Sequence, residues 1–144
     1  MKTLLNVFLI LGLAAMPALA DASVKAGPRK GRVLEMEAKN AEFLVEKDRT
    51  VSIAFYDAAM KAQPAATEIV TATAEAPTGK VKLEFEKKGD LLVSKTPLPE
   101  GEHYTVVVQV KTTADAKPKN FRVPLDLSVC KVCGNAEYAC ICDE

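Results

Sequence analysis

Apolar and polar residues alternate in short runs through most of this chain from Arg32 onward, and a period of two is the signature of β-strands. The clearest run spans residues 81–86, where Val81, Leu83 and Phe85 share one face and Lys82, Glu84 and Glu86 the other. Residues 41–46 place Ala41, Phe43 and Val45 together, and residues 51–55 do the same with Val51, Ile53 and Phe55. Further strands are predicted at residues 33–36, 67–74, 91–94 and 121–127, and one that opens over residues 98–106 and runs to about residue 111. Polar clusters separate the runs, Lys47-Asp48-Arg49-Thr50 and Lys87-Lys88-Gly89-Asp90 among them. Residues 112–119 form another polar connection. Pro124 has no amide proton for a ladder, so the last strand is expected at an edge or with a bulge.

Residues 57–66, Ala-rich and ending near Pro64, read as a crossing loop rather than a helix. About eight short strands with turn signals between them, and no amphipathic helix, predict an all-β antiparallel sandwich of the immunoglobulin-like or fibronectin III-like kind. The run Gly101-Glu102-His103-Tyr104 ahead of an alternating strand matches a tyrosine corner, in which the phenol bonds a nearby backbone group. Tyr104 is therefore read as architectural.

The N-terminus changes the picture of where this domain resides. Lys2, the apolar stretch of residues 4–15 and the small-x-small triplet Ala18-Leu19-Ala20 have the form of a secretory signal peptide. The apolar run is short for a span of ~20 residues, so cleavage before Asp21 is expected rather than anchoring. No cysteine follows the apolar run, which argues against a lipid anchor. An exported, periplasmic or secreted protein is the expectation, with no membrane association after cleavage. Of 19 Lys+Arg and 19 Asp+Glu, cleavage would leave 18 basic and 19 acidic residues. A near-neutral chain gives no basis for a nucleic-acid partner.

Enzymatic constellations do not emerge from the sequence. His103 is the single histidine, beside the predicted corner, and reads as a solvated turn residue. The glycines are isolated rather than grouped into a phosphate loop, and most carboxylates alternate outward. No catalytic residue is assigned, and the protein is read as non-enzymatic.

All four cysteines lie near the C-terminus, as Cys130, Cys133, Cys140 and Cys142, a C-x2-C-x6-C-x-C cluster. Two thiolates from a tight turn and two more from C-x-C can surround one soft ion. Gly134 is free to take the positive φ that such a turn uses. Four thiolates suit tetrahedral Zn²⁺, with metal–sulfur distances of ~2.3 Å. They equally suit Cu⁺, which selects soft sulfur ligands. Lys131, beside the first cysteine, could help depress a thiol pKa.

An oxidising compartment supports a different use of the same residues. Pairing within C-x-C would be strained, so two disulfides such as Cys130–Cys140 and Cys133–Cys142 are the alternative, each adding ~2–3 kcal/mol. In that case the sandwich would be a structural or protein-interaction module with a covalent clasp. Thiol–disulfide exchange is a third reading, though this C-x2-C follows a strand edge rather than a strand-to-helix turn.

The stretch Gly27-Pro28-Arg29-Lys30-Gly31-Arg32, then Ala41-Glu42-Phe43-Leu44-Val45, then Val51 to Phe55 with Tyr56-Asp57, resembles small exported sandwich domains found with bacterial heavy-metal efflux systems. Those domains often carry G-P-H-G-G-R before the first strand, an A-E-hydrophobic strand, and a strand ending in a Tyr/Phe-x-Asp turn. The resemblance spans residues 27–110 and implies an envelope domain in metal handling, with metal-efflux components as partners. Arg29 and Lys30 stand where those domains tend to have His and Gly. An N-terminal histidine ligand is thus absent, and metal binding would rest on the cysteines.

The expected organisation is a signal peptide at 1–20, a polar leader at 21–30, a β-sandwich at 31–129 and a cysteine knuckle at 130–144. The knuckle's only large apolar residues are Val132, Tyr138 and Ile141. It is therefore expected to be dispensable for folding.

Overall fold

A computed structural model describes residues 23–142. The signal-peptide reading of residues 1–20, with the new terminus at Asp21, lies outside these residues. The described residues form nine strands: β1 (Arg32–Glu35), β2 (Asn40–Val45), β3 (Val51–Tyr56), β4 (Ala62–Gln63), β5 (Ile69–Ala76), β6 (Gly79–Lys88), β7 (Leu91–Ser94), β8 (His103–Lys111) and β9 (Lys119–Asp126). A 3₁₀ turn, Glu137–Ala139, is the sole helical element among the described residues.

Every strand pairing is antiparallel, in the order β1-β2-β3-β7-β6-β5-β8-β9 with β4 beside β3. The fold is thus all-β, and its sheet curls until it is nearly a barrel. The long β6 joins the two halves of the sheet. Its first part pairs with β5, from Gly79 opposite Ala76 to Glu84 opposite Thr71, and its last part pairs with β7, from Phe85 opposite Ser94. The end strands β1 and β9 approach one another, and Lys119 Nζ donates to the Glu35 carbonyl at 2.8 Å.

The alternation read from the sequence decides which side chains fill the centre. Phe43, Ile53, Phe55, Leu83, Val106, Val108 and Val123 are fully or almost fully buried in one cluster. Glu84 and Glu86 lie on the exposed side of β6, as their alternation requires. Pro124 lies opposite Thr105 on β9, which pairs only with β8, so the proline occupies an edge strand. Residues 57–66 form no helix. They turn at Asp57, whose carboxylate accepts the amides of Ala59 and Lys61 at 2.9 Å, and add the short β4 before crossing to β5.

Strand β3 departs from simple alternation, because all six of its residues are buried. Its second face and that of β2 are covered by residues 27–31. Glu42, which alternates away from the central core, is completely buried beneath this loop. Its Oε1 accepts the amides of Arg29 (3.0 Å) and Gly31 (2.8 Å), and its Oε2 accepts the Tyr56 hydroxyl (2.6 Å). The Arg29 guanidinium reaches Ser52 Oγ at 2.8 Å and Glu46 Oε1 at 2.7 Å. A Cβ on Gly27 would lie 2.3 Å from the Glu42 carboxyl carbon, and one on Gly31 would lie 2.5 Å from the Phe43 carbonyl oxygen. Glycine is needed at both positions for close approach.

Tyr104 is buried, and its hydroxyl donates to the Pro99 carbonyl at 2.8 Å, five residues upstream. Arg49 donates to the same carbonyl and, at 3.1 Å, to that of Gly101. Gly101 has φ +124°, and its backbone passes against the Tyr104 ring. The architectural role expected of Tyr104 is what this geometry provides. Tyr104→Phe is expected to cost about 1 kcal/mol in a urea titration, because the Pro99 carbonyl loses a donor while the ring packing stays.

Candidate metal centre

The C-terminal segment folds as a small hairpin on the end of the sheet. Val129 and Ala136 form an antiparallel bridge. Between them, the Cys130 amide donates to the Asn135 carbonyl at 2.8 Å, and the Gly134 amide donates to the Cys130 carbonyl at 2.9 Å. Gly134 closes the turn with φ +73°, the left-handed geometry for which the sequence supplies glycine. The Asn135 side chain is buried and donates to the Ala139 carbonyl at 3.4 Å, tying the C-x2-C turn to the 3₁₀ turn. After Ala139 the chain doubles back and brings Cys140 and Cys142 alongside the first pair.

All four sequence-predicted ligands come together. The sulfur atoms of Cys130, Cys133, Cys140 and Cys142 lie within 4.8 Å of one another. Cys133 contacts Cys140 at 3.7 Å and Cys130 contacts Cys142 at 3.9 Å. None is at the ~2.05 Å of a disulfide, and all four thiols are free. The facing partners also differ from the pairs expected from sequence. The hairpin lays the two segments antiparallel, so the outer cysteines face each other and the inner cysteines face each other.

Backbone amides, not a lysine, set the electrostatics. Amides of Asn135 and Ile141 donate to the Cys133 sulfur and lower its pKa from 9.0 to about 6. Lys131 is exposed and is not among the main causes of that shift. Cys140 is pushed up to about 12, first by its hydrogen bond with Cys130, and Cys142 is raised chiefly by burial. One thiolate is thus easy to form. Each further negative sulfur is disfavoured unless a cation enters.

The knuckle is not a loose appendage, contrary to what its few apolar residues suggest. Tyr138 is only 3% exposed. Its ring meets Phe43 edge to face, with centroids 5.7 Å apart and planes at 89°. Its hydroxyl accepts the Val45 amide at 3.0 Å. Val45 lies past the last β1–β2 pair, Arg32 with Phe43, so the tyrosine satisfies a ladder amide that β1 leaves behind. Ala139 is fully buried and Cys130 nearly so. Tyr138 was visible in the sequence as an apolar residue between the cysteine pairs, but its partner on β2 is distant in the chain.

His103, by contrast, is exposed at the start of β8, with Nδ1 3.5 Å from Asp126 Oδ2 on the neighbouring strand. Comparison of the chain with protein-family profiles, curated proteins and solved structures finds no match.

Two outcomes follow from this geometry. Tyr138→Ala should destabilise the domain by about 3–5 kcal/mol in urea, the usual range for emptying a large aromatic site in a core. Removing residues 130–144 should be at least as damaging, since the same ring is lost. The second outcome concerns pH in the reduced, metal-free chain. Cys133 has a folded pKa below its ordinary value, so its contribution to stability is complete above pH 9 and fades as pH falls toward 6. Cys140 has the opposite sign, contributing below pH 9 and fading as pH rises toward 12. Thiolate absorbance near ~240 nm should therefore show one early ionisation near pH 6 that Cys133→Ser abolishes.

Proposed function

We propose that this is a non-enzymatic exported protein that binds one soft metal ion through Cys130, Cys133, Cys140 and Cys142. The observation that carries the reading is the convergence of four thiols within 4.8 Å of one another. Around a tetrahedral ion with metal–sulfur bonds of ~2.3 Å, sulfurs stand ~3.8 Å apart. The Cys133–Cys140 and Cys130–Cys142 contacts, 3.7 and 3.9 Å, fit that edge length. A closed set of four protein ligands leaves no position for substrate, which favours Zn²⁺ in a structural or storage role. Cu⁺ is the second candidate, since it also selects thiolates. Amide donors to Cys133 and Cys140 support ligand charge in the way hydrogen bonds around metal sites commonly do.

The alternative, an interaction module clasped by two disulfides, is less well supported because no sulfur pair lies at bonding distance. The N-terminal pattern at residues 1–20 supports export to the periplasm or beyond. The tyrosine-corner geometry of Tyr104 supports an immunoglobulin-like classification of the all-β fold. The resemblance over residues 27–110 supports a role in metal handling beside envelope efflux components, and the near-neutral charge gives no support to a nucleic-acid partner.

Native mass spectrometry of reduced protein purified without chelator should show about one zinc ion per chain. Added Zn²⁺ should raise the thermal midpoint, because an ion that binds only the folded state stabilises it by mass action. A chain four hydrogens lighter, with no metal, would instead establish the disulfide-clasped module.

A further inference from the structure

The hairpin that gathers the ligands also pairs them for oxidation. Cys133 faces Cys140 at 3.7 Å and Cys130 faces Cys142 at 3.9 Å, an inner and an outer rung. Cys133, Cys140 and Cys142 are partly exposed, whereas Cys130 is buried. The site lies at the surface, among the exposed side chains of Val129, Val132 and Ile141. Three of the four cysteines thus lie partly at the surface, where an incoming disulfide would meet them without any opening of the sheet.

We propose that the cluster is a redox-gated metal store: a small disulfide oxidises it to nested Cys133–Cys140 and Cys130–Cys142 bridges, and the ion is released. This rests on the metal-binding reading above and concerns its control. In the first exchange, the thiolate of Cys133 or Cys140 attacks a disulfide R–S–S–R. A protein–S–S–R bond forms, the R–S–S–R bond breaks, and one R–S⁻ leaves. The facing thiolate then attacks the protein sulfur of that mixed disulfide and expels the second R–S⁻, completing the inner rung.

The ion has now lost two of its four ligands. Cys142 repeats the attack and Cys130 resolves it, completing the outer rung. In total, four protein thiolates are oxidised to two disulfides and two R–S–S–R are reduced to four R–S⁻, which take up protons from solvent. The metal leaves as the free dication, unchanged in oxidation state. Because both rungs lie within the hairpin that Tyr138 anchors, the domain keeps its fold while the ion departs.

Zinc-loaded protein should be treated with oxidised glutathione while a chromophoric chelator reports free zinc. The expected result is release of about one zinc per chain, in step with the loss of titratable thiols and a final mass four hydrogens below that of the reduced, metal-free chain. Fragmentation of the bridged peptides should then give the nested pairing, one of three that four cysteines allow.

Paired variants provide a second measurement. Cys133→Ser with Cys140→Ser, and Cys130→Ser with Cys142→Ser, should each close their remaining bridge faster than the variant that leaves Cys130 with Cys140. Zinc retained by a cluster that stays reduced in excess oxidised glutathione would overturn the proposal alone. Crossed or sequence-adjacent bridges would do the same. A reduced chain that takes up no zinc would overturn the metal-binding reading and this one with it.

Discussion

Tyr138 is the joint between two structures that would otherwise have little to do with each other. A four-cysteine hairpin is too small to hold itself in place. Its apolar side chains at Val129, Val132 and Ile141 point to solvent, so it gains little from burial of its own. What fixes it is one phenol that fills the end of the core against Phe43 and accepts the Val45 amide beyond the end of β1. The ring supplies apolar contact and the hydroxyl supplies the hydrogen bond, so one residue meets two separate requirements. The Val129–Ala136 bridge and the buried Asn135 tie the cysteine-bearing turns to that anchor.

The place where Tyr138 docks is itself prepared by the N-terminal loop. β1 stops short because residues 27–31 turn under β2 to enclose Glu42. A buried carboxyl is costly unless its oxygens are bonded, and here two amides and the Tyr56 hydroxyl meet them. Gly27 and Gly31 let the loop come close enough to do so. The motif residues near the start of the domain are thus packing partners of one another. Their arrangement leaves the Val45 amide open for the tail.

Electrostatics in the cluster run against holding four bare thiolates together. The amides that favour charge on Cys133 cannot also neutralise its neighbours, and Cys140 and Cys142 are held toward their protonated forms. A soft dication removes that conflict at one stroke, and so does oxidation to disulfides. The proposed binding and oxidation would thus answer a single constraint, the crowding of four sulfurs by one hairpin.

Period-two alternation determined the strands and the identity of the core residues, because a side chain's face on a strand follows from its position in the run, and the missing amide proton of Pro124 determined its edge placement. Chemical type and spacing likewise determined the four candidate ligands and the left-handed turn at Gly134. Which strands neighbour each other depended on long-range pairing, and no local pattern encodes the order β1-β2-β3-β7-β6-β5-β8-β9.

Burial of Glu42 depended on a loop folding over the second face of β2, which alternation alone assigns to solvent. The nested facing of the cysteines came from the antiparallel return of the chain after Ala139. The dependence of the tail on the core came from a contact between Tyr138 and Phe43, residues far apart in sequence. Local propensity reads the near neighbours along a chain; these decisions belong to surfaces that meet only when the chain is folded.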